Sequence, residues 1–175
     1  MPSLLARLAA RLRGRSPNAD GGGKAQGRRG GPGPASARQG LWGEREAERF
    51  LLGPERGDTP ACRVRVLGRR VRVGRDEIDL VLEERDARGR EIVFVEVKTR
   101  SSDLFGGGLA AMDRRKRHAL CRAVARYMGK MPPTPFRIDV VEVFGDASRG
   151  APDRVLHFRN AVPLETRFVH QGLRR

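Results

Sequence analysis

The pattern of apolar and polar residues predicts secondary structure from residue 41 onward. A helix of about three turns is predicted at 41–52, where apolar side chains recur at helical spacing and stop at Gly53-Pro54. Three runs of β-branched or alternating apolar residues follow, each ended by Gly or Asp. These runs predict strands at Cys62–Leu67, Glu77–Leu82 and Ile92–Val97. The first part of this region is therefore expected to be one helix and three strands.

The remaining pattern predicts a second helix and two further strands. The helix is predicted at 109–129, where apolar residues lie four or eight positions apart. Those residues are Met112, Leu120, Val124 and Met128. The strands are predicted at Phe136–Phe144 and Arg154–Phe158. The element order favours an α/β fold, with a mixed β-sheet of about five strands flanked by α-helices.

The turn Asp86-Ala87-Arg88-Gly89 predicts how two of the strands pair. Asp at the first position and Gly at the last favour a type I turn in a four-residue hairpin loop. With the turn centred between Ala87 and Arg88, residues whose numbers sum to 175 lie opposite each other. Asp79 is then expected opposite Glu96, and Glu77 opposite Lys98.

Alternation along the two strands gives the hairpin one apolar face and one face with charge at its end. The predicted apolar face holds Ile78, Leu80 and Leu82 against Val97, Val95 and Val93. On the other face, opposed carboxylates with Cβ atoms about 4.5–5.5 Å apart could share one cation. Asp79 and Glu96 are therefore candidate ligands for Mg²⁺ or Mn²⁺, with Glu77 as a supporting acid. Solvated charges at a strand end are the alternative interpretation.

Positive charge is distributed unevenly along the 175 residues. Lys and Arg number 36 against 21 Asp and Glu, a net charge of +15. Residues 1–40 carry +7 of that excess in a Gly/Pro/Ser-rich composition, which favours a flexible basic linker. Arg28-Arg29-Gly30-Gly31 could alternatively belong to an RGG-type nucleic-acid tail. The predicted division is a tail at 1–39, a folded domain at 40–160 and a C-terminal extension at 161–175.

Cysteine usage and hydropathy favour a cytoplasmic location. Cys62 and Cys121 form neither a zinc pattern nor a disulfide framework. No apolar run approaches the roughly 20 residues of a membrane-spanning helix. Leucines on one helical face of residues 1–13 leave three interpretations open, namely a surface-seeking helix, an organellar presequence or a short frayed helix.

An Asp on one strand followed by Glu-x-Lys on the next resembles the PD-(D/E)XK nuclease superfamily, which includes restriction endonucleases and archaeal-type Holliday junction resolvases. The ordered set of motifs resembles the YraN-like family of predicted nucleases, over residues 40 to about 145. The set is Gly43-Glu44…Ala47, Glu77-Ile78-Asp79-Leu80, Val93-Phe94-Val95-Glu96-Val97-Lys98-Thr99-Arg100, Lys116 and Arg137-Ile138-Asp139-Val140-Val141.

This resemblance implies a restriction-endonuclease-like core with a catalytic site. Asp79 and Glu96 would bind Mg²⁺, Lys98 would assist the attacking water, and Glu44 would contribute from the first helix. One departure is Asp76, which stands where the family usually has Gly and adds a negative charge beside the candidate site.

Basic residues near the candidate site are expected to bind nucleic acid. Lys116 lies four residues from both Met112 and Leu120, so it either snorkels or reaches inward to a substrate phosphate, and the second is favoured. The other candidates for phosphate contacts are Arg114, Arg115, Arg117 and Arg100. Asp139 is expected to be structural, and no histidine-based nucleophile is apparent.

Two functions follow from these observations. The leading hypothesis is a Mg²⁺-dependent endonuclease that hydrolyses phosphodiester bonds of DNA, with branched or recombination and repair intermediates as candidate substrates. The alternative is a catalytically inactive nucleic-acid-binding module on a nuclease-like fold. DNA is the expected partner in both cases, and a homodimer would suit paired cuts on a junction.

Overall fold

The computed structural model describes residues 33–56, 62–100, 113–165 and 168. Its elements follow the predicted order of one helix, three strands, one helix and two strands. They are α1 (Pro34–Leu52), a short 3-10 helix (Pro54–Arg56), β1 (Arg63–Val73), β2 (Asp76–Asp86), β3 (Gly89–Arg100), α2 (Arg114–Met128), β4 (Phe136–Phe144) and β5 (Arg154–Phe158). The predicted α/β fold is confirmed.

The five strands form one sheet in the order β1-β2-β3-β4-β5. Strands β3 and β4 are parallel, and the other neighbouring pairs are antiparallel. Parallel strands need a crossover connection, and α2 lies within this one. The predicted mixed sheet is therefore confirmed, with the crossover between its third and fourth strands.

Both faces of the sheet are buried, one under each helix. Under α1, Trp42, Ala47 and Leu51 belong to a core cluster with alternate residues of β2, β3 and β4. Under α2, Phe94 packs against Tyr127 edge to face with ring centroids 5.3 Å apart. Burial on both faces explains the nearly continuous apolar runs of the central strands.

Helix α1 begins at Pro34, seven residues before the start predicted for this helix and within the segment assigned to the tail. Pro suits the first turn of a helix because its missing N–H would have no helical partner. The Gln39 side chain donates to Gly145 O at 2.8 Å and accepts from Ala147 N at 2.9 Å. These polar contacts with the loop after β4 anchor the first turns without apolar side chains.

The C-terminal boundary also differs from its prediction. Val162 and Phe168 are buried in the cluster under α2, and Val162 N donates to Ile138 O at 3.3 Å. This part of the predicted extension therefore completes the core. The interpretations of residues 1–32, and that of Met112, lie outside the described residues. No helix in the described ranges has the length and apolar character needed to span a membrane.

Candidate acidic site

The β2–β3 hairpin has the predicted register over seven residue pairs, from Asp86–Gly89 to Leu80–Val95. Asp86 Oδ1 accepts from Arg88 N at 2.8 Å, and this short-range bond is typical of Asp at the start of a turn. The turn residues were thus sufficient to predict the pairing of the two strands close to the turn.

The regular backbone pairing of β2 with β3 ends just before Asp79. The β2–β3 register extends to Leu80–Val95, and beyond it Asp79 Oδ2 accepts from Val97 N at 2.8 Å. On the β1 side the register passes from Arg69–Leu80 to Val71–Ile78. Arg70 lies between these pairs with φ 47°, in the left-handed region. Asp79 therefore uses its side chain where a strand residue would use its backbone.

This irregularity makes part of the predicted hairpin wrong. Ile78 belongs to the core cluster under α2, whereas Leu80 and Leu82 belong to the cluster under α1. The three side chains therefore do not share a face, because alternation along β2 breaks at Asp79, where its recorded pairing with β3 has ended.

The predicted pair of Glu77 with Lys98 is also wrong. Glu77 accepts from Arg70 Nε at 3.0 Å and from Arg72 Nε at 3.3 Å, both on β1. Lys98 Nζ instead donates to Glu96 Oε1 at 2.8 Å. Glu77 thus pairs with two arginines of β1. Lys98 balances the charge of Glu96, a buried acid on its own strand.

Glu96 is the most deeply buried acid of this region, with 1% of its surface exposed. Its Oε1 atom lies 2.8 Å from Lys98 Nζ and 3.3 Å from Lys116 Nζ. Its Oε2 atom is buried and has no hydrogen-bond partner among the described residues. A buried carboxylate oxygen without a partner is costly, so Oε2 is suited to bind a cation or to accept from a donor.

The Asp79 carboxyl group lies beside Glu96. Burial, followed by the negative charge of Glu96, raises the pKa of Asp79 to about 7. The Val97 N–H and the charge of Lys116 oppose this rise. Two neighbouring buried carboxyl groups resist simultaneous ionisation, and an added cation would relieve that repulsion.

Lys116 reaches this pair from the crossover helix α2. Burial of its ammonium group lowers its pKa, but the charges of Glu96 and Asp79 outweigh that effect, and the net shift is upward. Lys116 remains 42% exposed. It is therefore a protonated group with one side toward the acids and the other toward solvent.

Glu44 approaches the same group from α1. A Cβ at the preceding Gly43 would lie 2.1 Å from Thr99 Oγ1, so only glycine allows α1 to come this close to β3. Burial is the main cause of the raised pKa of Glu44, and the charges of Glu77 and Glu96 add to it. We call Glu44, Asp79, Glu96, Lys98 and Lys116 the acidic site.

The predicted nucleic-acid-binding arginines lie outside the acidic site. Arg100 donates to Glu142 Oε1 from Nε at 3.2 Å and from Nη2 at 3.0 Å. Arg117 Nε lies 3.6 Å from Glu165 Oε1. Arg114 and Arg115 are exposed in the first turn of α2. Only the last two have side chains fully available on the surface of the helix.

Asp76 has its own partner and adds no free charge to the acidic site. Arg122 of α2 donates to both of its carboxylate oxygens, from Nε at 2.8 Å and from Nη2 at 2.7 Å. The hydrogen bond with Arg122 is the largest cause of the lowered pKa of Asp76, even though burial opposes it. The departure from the family pattern at this position is therefore locally compensated.

A second group of buried charges, which the sequence interpretation missed, surrounds Arg137. This side chain donates to Glu84, Glu91 and Asp139. Asp139 also lies 2.9 Å from His157 Nε2, as expected for a structural acid. We call Arg137, Glu84, Glu91, Asp139 and His157 the arginine cluster. The signal was available: Glu84 and Glu91 face each other across the hairpin, and like charges there require a cation.

Comparison with known proteins identifies the family. The sequence profile of the uncharacterised protein family UPF0102 matches residues 43–143, more than half of the chain. A UPF0102 protein of Paracidovorax citrulli is 42% identical over 91 residues, 50% of this chain and 65% of that protein. A UPF0102 protein of Moorella thermoacetica is 44% identical over 84 residues, 47% of this chain and 67% of that protein.

A UPF0102 protein of Xanthomonas oryzae is 42% identical over 73 residues, 40% of this chain and 57% of that protein. The chain thus spans less than two thirds of the Paracidovorax and Xanthomonas proteins. The matched range of the family profile includes every residue of the acidic site. The sequence-based recognition is confirmed, and the chain belongs to the uncharacterised protein family UPF0102.

Proposed function

We propose that this protein is a Mg²⁺-dependent endonuclease that hydrolyses phosphodiester bonds of DNA at the acidic site. The observation that carries the proposal is the buried, unpartnered Oε2 of Glu96 beside the Asp79 carboxyl group. The resemblance to PD-(D/E)XK nucleases supports the same assignment. Branched recombination or repair intermediates are the proposed substrates, with a homodimer for paired cuts, acting in the cytoplasm.

The acidic site fits a hard cation that keeps part of its hydration shell. The described residues contain no group of three or more His, Cys, Asp or Glu side chains placed to hold a metal by themselves. Mg²⁺ is commonly held by one or two carboxylates, with waters and substrate phosphates completing the shell. Asp79 and Glu96 would hold it. When bound, it would polarise the phosphodiester and lower the pKa of a coordinated water.

The lysines supply the remaining chemistry. Lys98 Nζ, on a side chain 30% exposed, lies 2.8 Å from Glu96 Oε1 and can donate to a water or to a phosphate oxygen. Lys116 Nζ supplies a second positive charge from helix α2, 3.3 Å from Glu96 Oε1. The Val97 N–H orients the Asp79 carboxylate. These groups can stabilise the negative charge that develops on a phosphodiester as its bond to the leaving oxygen breaks.

Cleavage assays on the full chain test the proposal. Linear duplex, single-stranded, flap and four-way-junction DNA are incubated with the protein in Mg²⁺ or in EDTA. We expect cleavage only with Mg²⁺, and a loss of at least about 100-fold in Glu96→Gln or Lys98→Ala, as for other removed transition-state contacts. Asp153→Asn and Lys130→Ala are the control variants, because both residues are exposed and lie on elements that contribute nothing to the acidic site.

Metal binding has a separate readout that needs no cleavage. Mg²⁺ at about 100 times its dissociation constant should stabilise the wild-type chain by about 2.7 kcal/mol and should leave Glu96→Gln unchanged. Equal stabilisation of both chains would contradict the metal site. Binding of DNA without cleavage, unaffected by Asp79→Ala, would instead support the alternative of a non-catalytic binding module.

A further inference from the structure

A groove beside the acidic site separates α1 from the irregular part of β1. It has a volume of about 460 Å³. Four arginines line it, together with two glutamates and two leucines. The arginines are Arg38, Arg45, Arg69 and Arg70. The sequence interpretation assigned phosphate binding to α2 and to Arg100 of β3, so this concentration of positive charge beside α1 is new.

The spacing of residues along α1 builds one wall of the groove. Arg38, Leu41, Arg45 and Glu48 follow each other at intervals of three, four and three residues, which places them on one face of a helix. Leu41 is 44% exposed. Pairing across the groove occupies Glu48, which accepts from Arg69, while Arg70 is held by Glu77. The glutamates therefore do not neutralise the whole wall.

Arg38 and Arg45 are the two available cations of this wall. Both are exposed, and neither has a hydrogen bond or an ion pair within the described ranges. A guanidinium group presents a planar set of donors that matches phosphate oxygens. An exposed apolar side chain between two such groups can contact the sugars of a nucleic-acid backbone.

The groove leads to the acidic site. Glu44 lines it, and the pKa of Glu44 responds, after burial, to the charges of Arg70, Glu77 and Glu96. Leu80 also lines the groove and adjoins Asp79 in the chain. A strand lying in the groove would therefore bring a phosphate next to the carboxylates that we assign to metal binding.

We propose that the α1–β1 groove holds the DNA backbone flanking the scissile phosphate, with Arg38 and Arg45 as its phosphate-binding residues. This inference rests on the proposed function for the meaning of the scissile phosphate, but binding itself can be measured without cleavage. It assigns substrate positioning to α1, whereas the arginines of α2 have at most an additional role.

The test is fluorescence anisotropy with a labelled DNA duplex and the same sequence as a single strand, in EDTA, using the full chain. We compare Arg38→Gln/Arg45→Gln with the control Arg63→Gln/Arg149→Gln, which removes the same charge from exposed positions outside the groove. Between about 50 and 200 mM salt, each lost phosphate contact on duplex DNA should reduce the salt slope of log K by about 0.9.

We expect the groove variant to bind at least about 10-fold more weakly at the lower salt concentration, with the reduced slope, and the control to resemble the wild type. Equal weakening in both variants, or no binding by the wild type, overturns the groove assignment. The outcomes also separate the two proposals. Weaker binding by the groove variant of a chain that never cuts DNA would uphold the groove and reject the nuclease. If the groove variant binds DNA as tightly as the wild type and the wild type cuts DNA only with metal, the groove assignment is rejected and the nuclease is upheld.

Discussion

The acidic site and the arginine cluster both bury carboxylates against the sheet, and they differ in how that charge is balanced. Burial alone would raise the pKa of Asp139, but its bond with His157 and the charge of Arg137 lower it. The pKa of Glu84 is lowered in the same way, against burial, by bonds from Arg137 and Arg56. In the acidic site, burial and Glu96 raise the pKa of Asp79 to about 7.

Carboxylates with a lowered pKa stabilise the folded state when ionised, whereas a carboxylate with a raised pKa destabilises it when ionised. In the arginine cluster, hydrogen bonds and protein cations lower the pKa values of Asp139 and Glu84, so these two acids favour the folded state in their ionised forms. In the acidic site, one oxygen of Glu96 has no partner among the described residues. Local instability of this kind is typical of functional sites.

The largest expected effect is loss of the cation at the centre of the arginine cluster. Arg137→Met removes the cation that Glu84 and Asp139 share, and both acids stay buried. Removing one member of a buried ion pair costs about 3–5 kcal/mol, so the free energy of unfolding in urea should fall by that amount. Arg149→Met, at an exposed position, is the control. A loss similar to that of the control would mean that the cluster does not stabilise the fold.

The second prediction is that a substitution at Asp79 raises the free energy of unfolding, whereas the substitution at Arg137 lowers it. Its pKa of about 7 in the folded chain exceeds the ordinary value of 3.8. The folded chain therefore binds more protons between these pH values, and stability falls as pH rises through that window. Asp79→Asn should be more stable than the wild type at pH 8 in EDTA by about 1–3 kcal/mol.

Urea unfolding at several pH values measures this effect. The advantage of Asp79→Asn should shrink as pH falls and vanish below the ordinary pKa of 3.8, because the wild-type carboxyl is then protonated in both states. Asparagine can still accept from Val97 N, so the variant keeps the local geometry. A variant that is less stable at pH 8, or equally stabilised at every pH, would show that Asp79 is not a strained acid.

The smallest expected effect on stability is that of Asp76, and it tests whether this acid acts with the acidic site or contributes as much stability as the arginine cluster. Arg122, which pairs with it, is 23% exposed, whereas the Asp76 side chain is 7% exposed. Surface pairs contribute about 0–1 kcal/mol, and removing a partner from a fully buried pair costs about 3–5 kcal/mol. Asp76→Asn should therefore lower the free energy of unfolding by about 1 kcal/mol and leave the proposed DNA cleavage unchanged. A large change in cleavage rate would place Asp76 among the residues that act on the acidic site.

Local signals explain which parts of this molecule could be predicted. Asp86 and Gly89 determine their turn through neighbouring atoms, so the hairpin register followed from the sequence. The start of α1 depends on contacts of Gln39 with Gly145 and Ala147, more than 100 residues away. From composition alone, the segment before residue 40 is predicted to be a linker. The residue that anchors it, Gln39, is polar and contacts backbone atoms, so no apolar pattern indicates that the segment is folded.

The candidate site was predictable in its residue types but less so in its geometry. Asp79 and Glu96 were chosen from the predicted register, although the observed ladder ends one pair before them, at Leu80–Val95. The end of the β2–β3 pairing at Leu80–Val95 has no glycine or proline in the sequence to mark it, so the change of face at Ile78 could not be anticipated. The approach of Lys116 to Glu96 depends on how the crossover helix packs, which a strand register does not encode.

The hydrogen bond from Val97 N to Asp79 Oδ2 has a consequence for spectroscopy. A backbone amide of a central strand would ordinarily report on strand pairing, but this one is attached to a titrating carboxyl group. Its chemical shift in a ¹⁵N–¹H spectrum should follow the protonation of Asp79, and its rate of hydrogen exchange should report how firmly that carboxylate is held. One backbone signal therefore serves as an indicator of the charge state of the acidic site, readable in the absence of substrate.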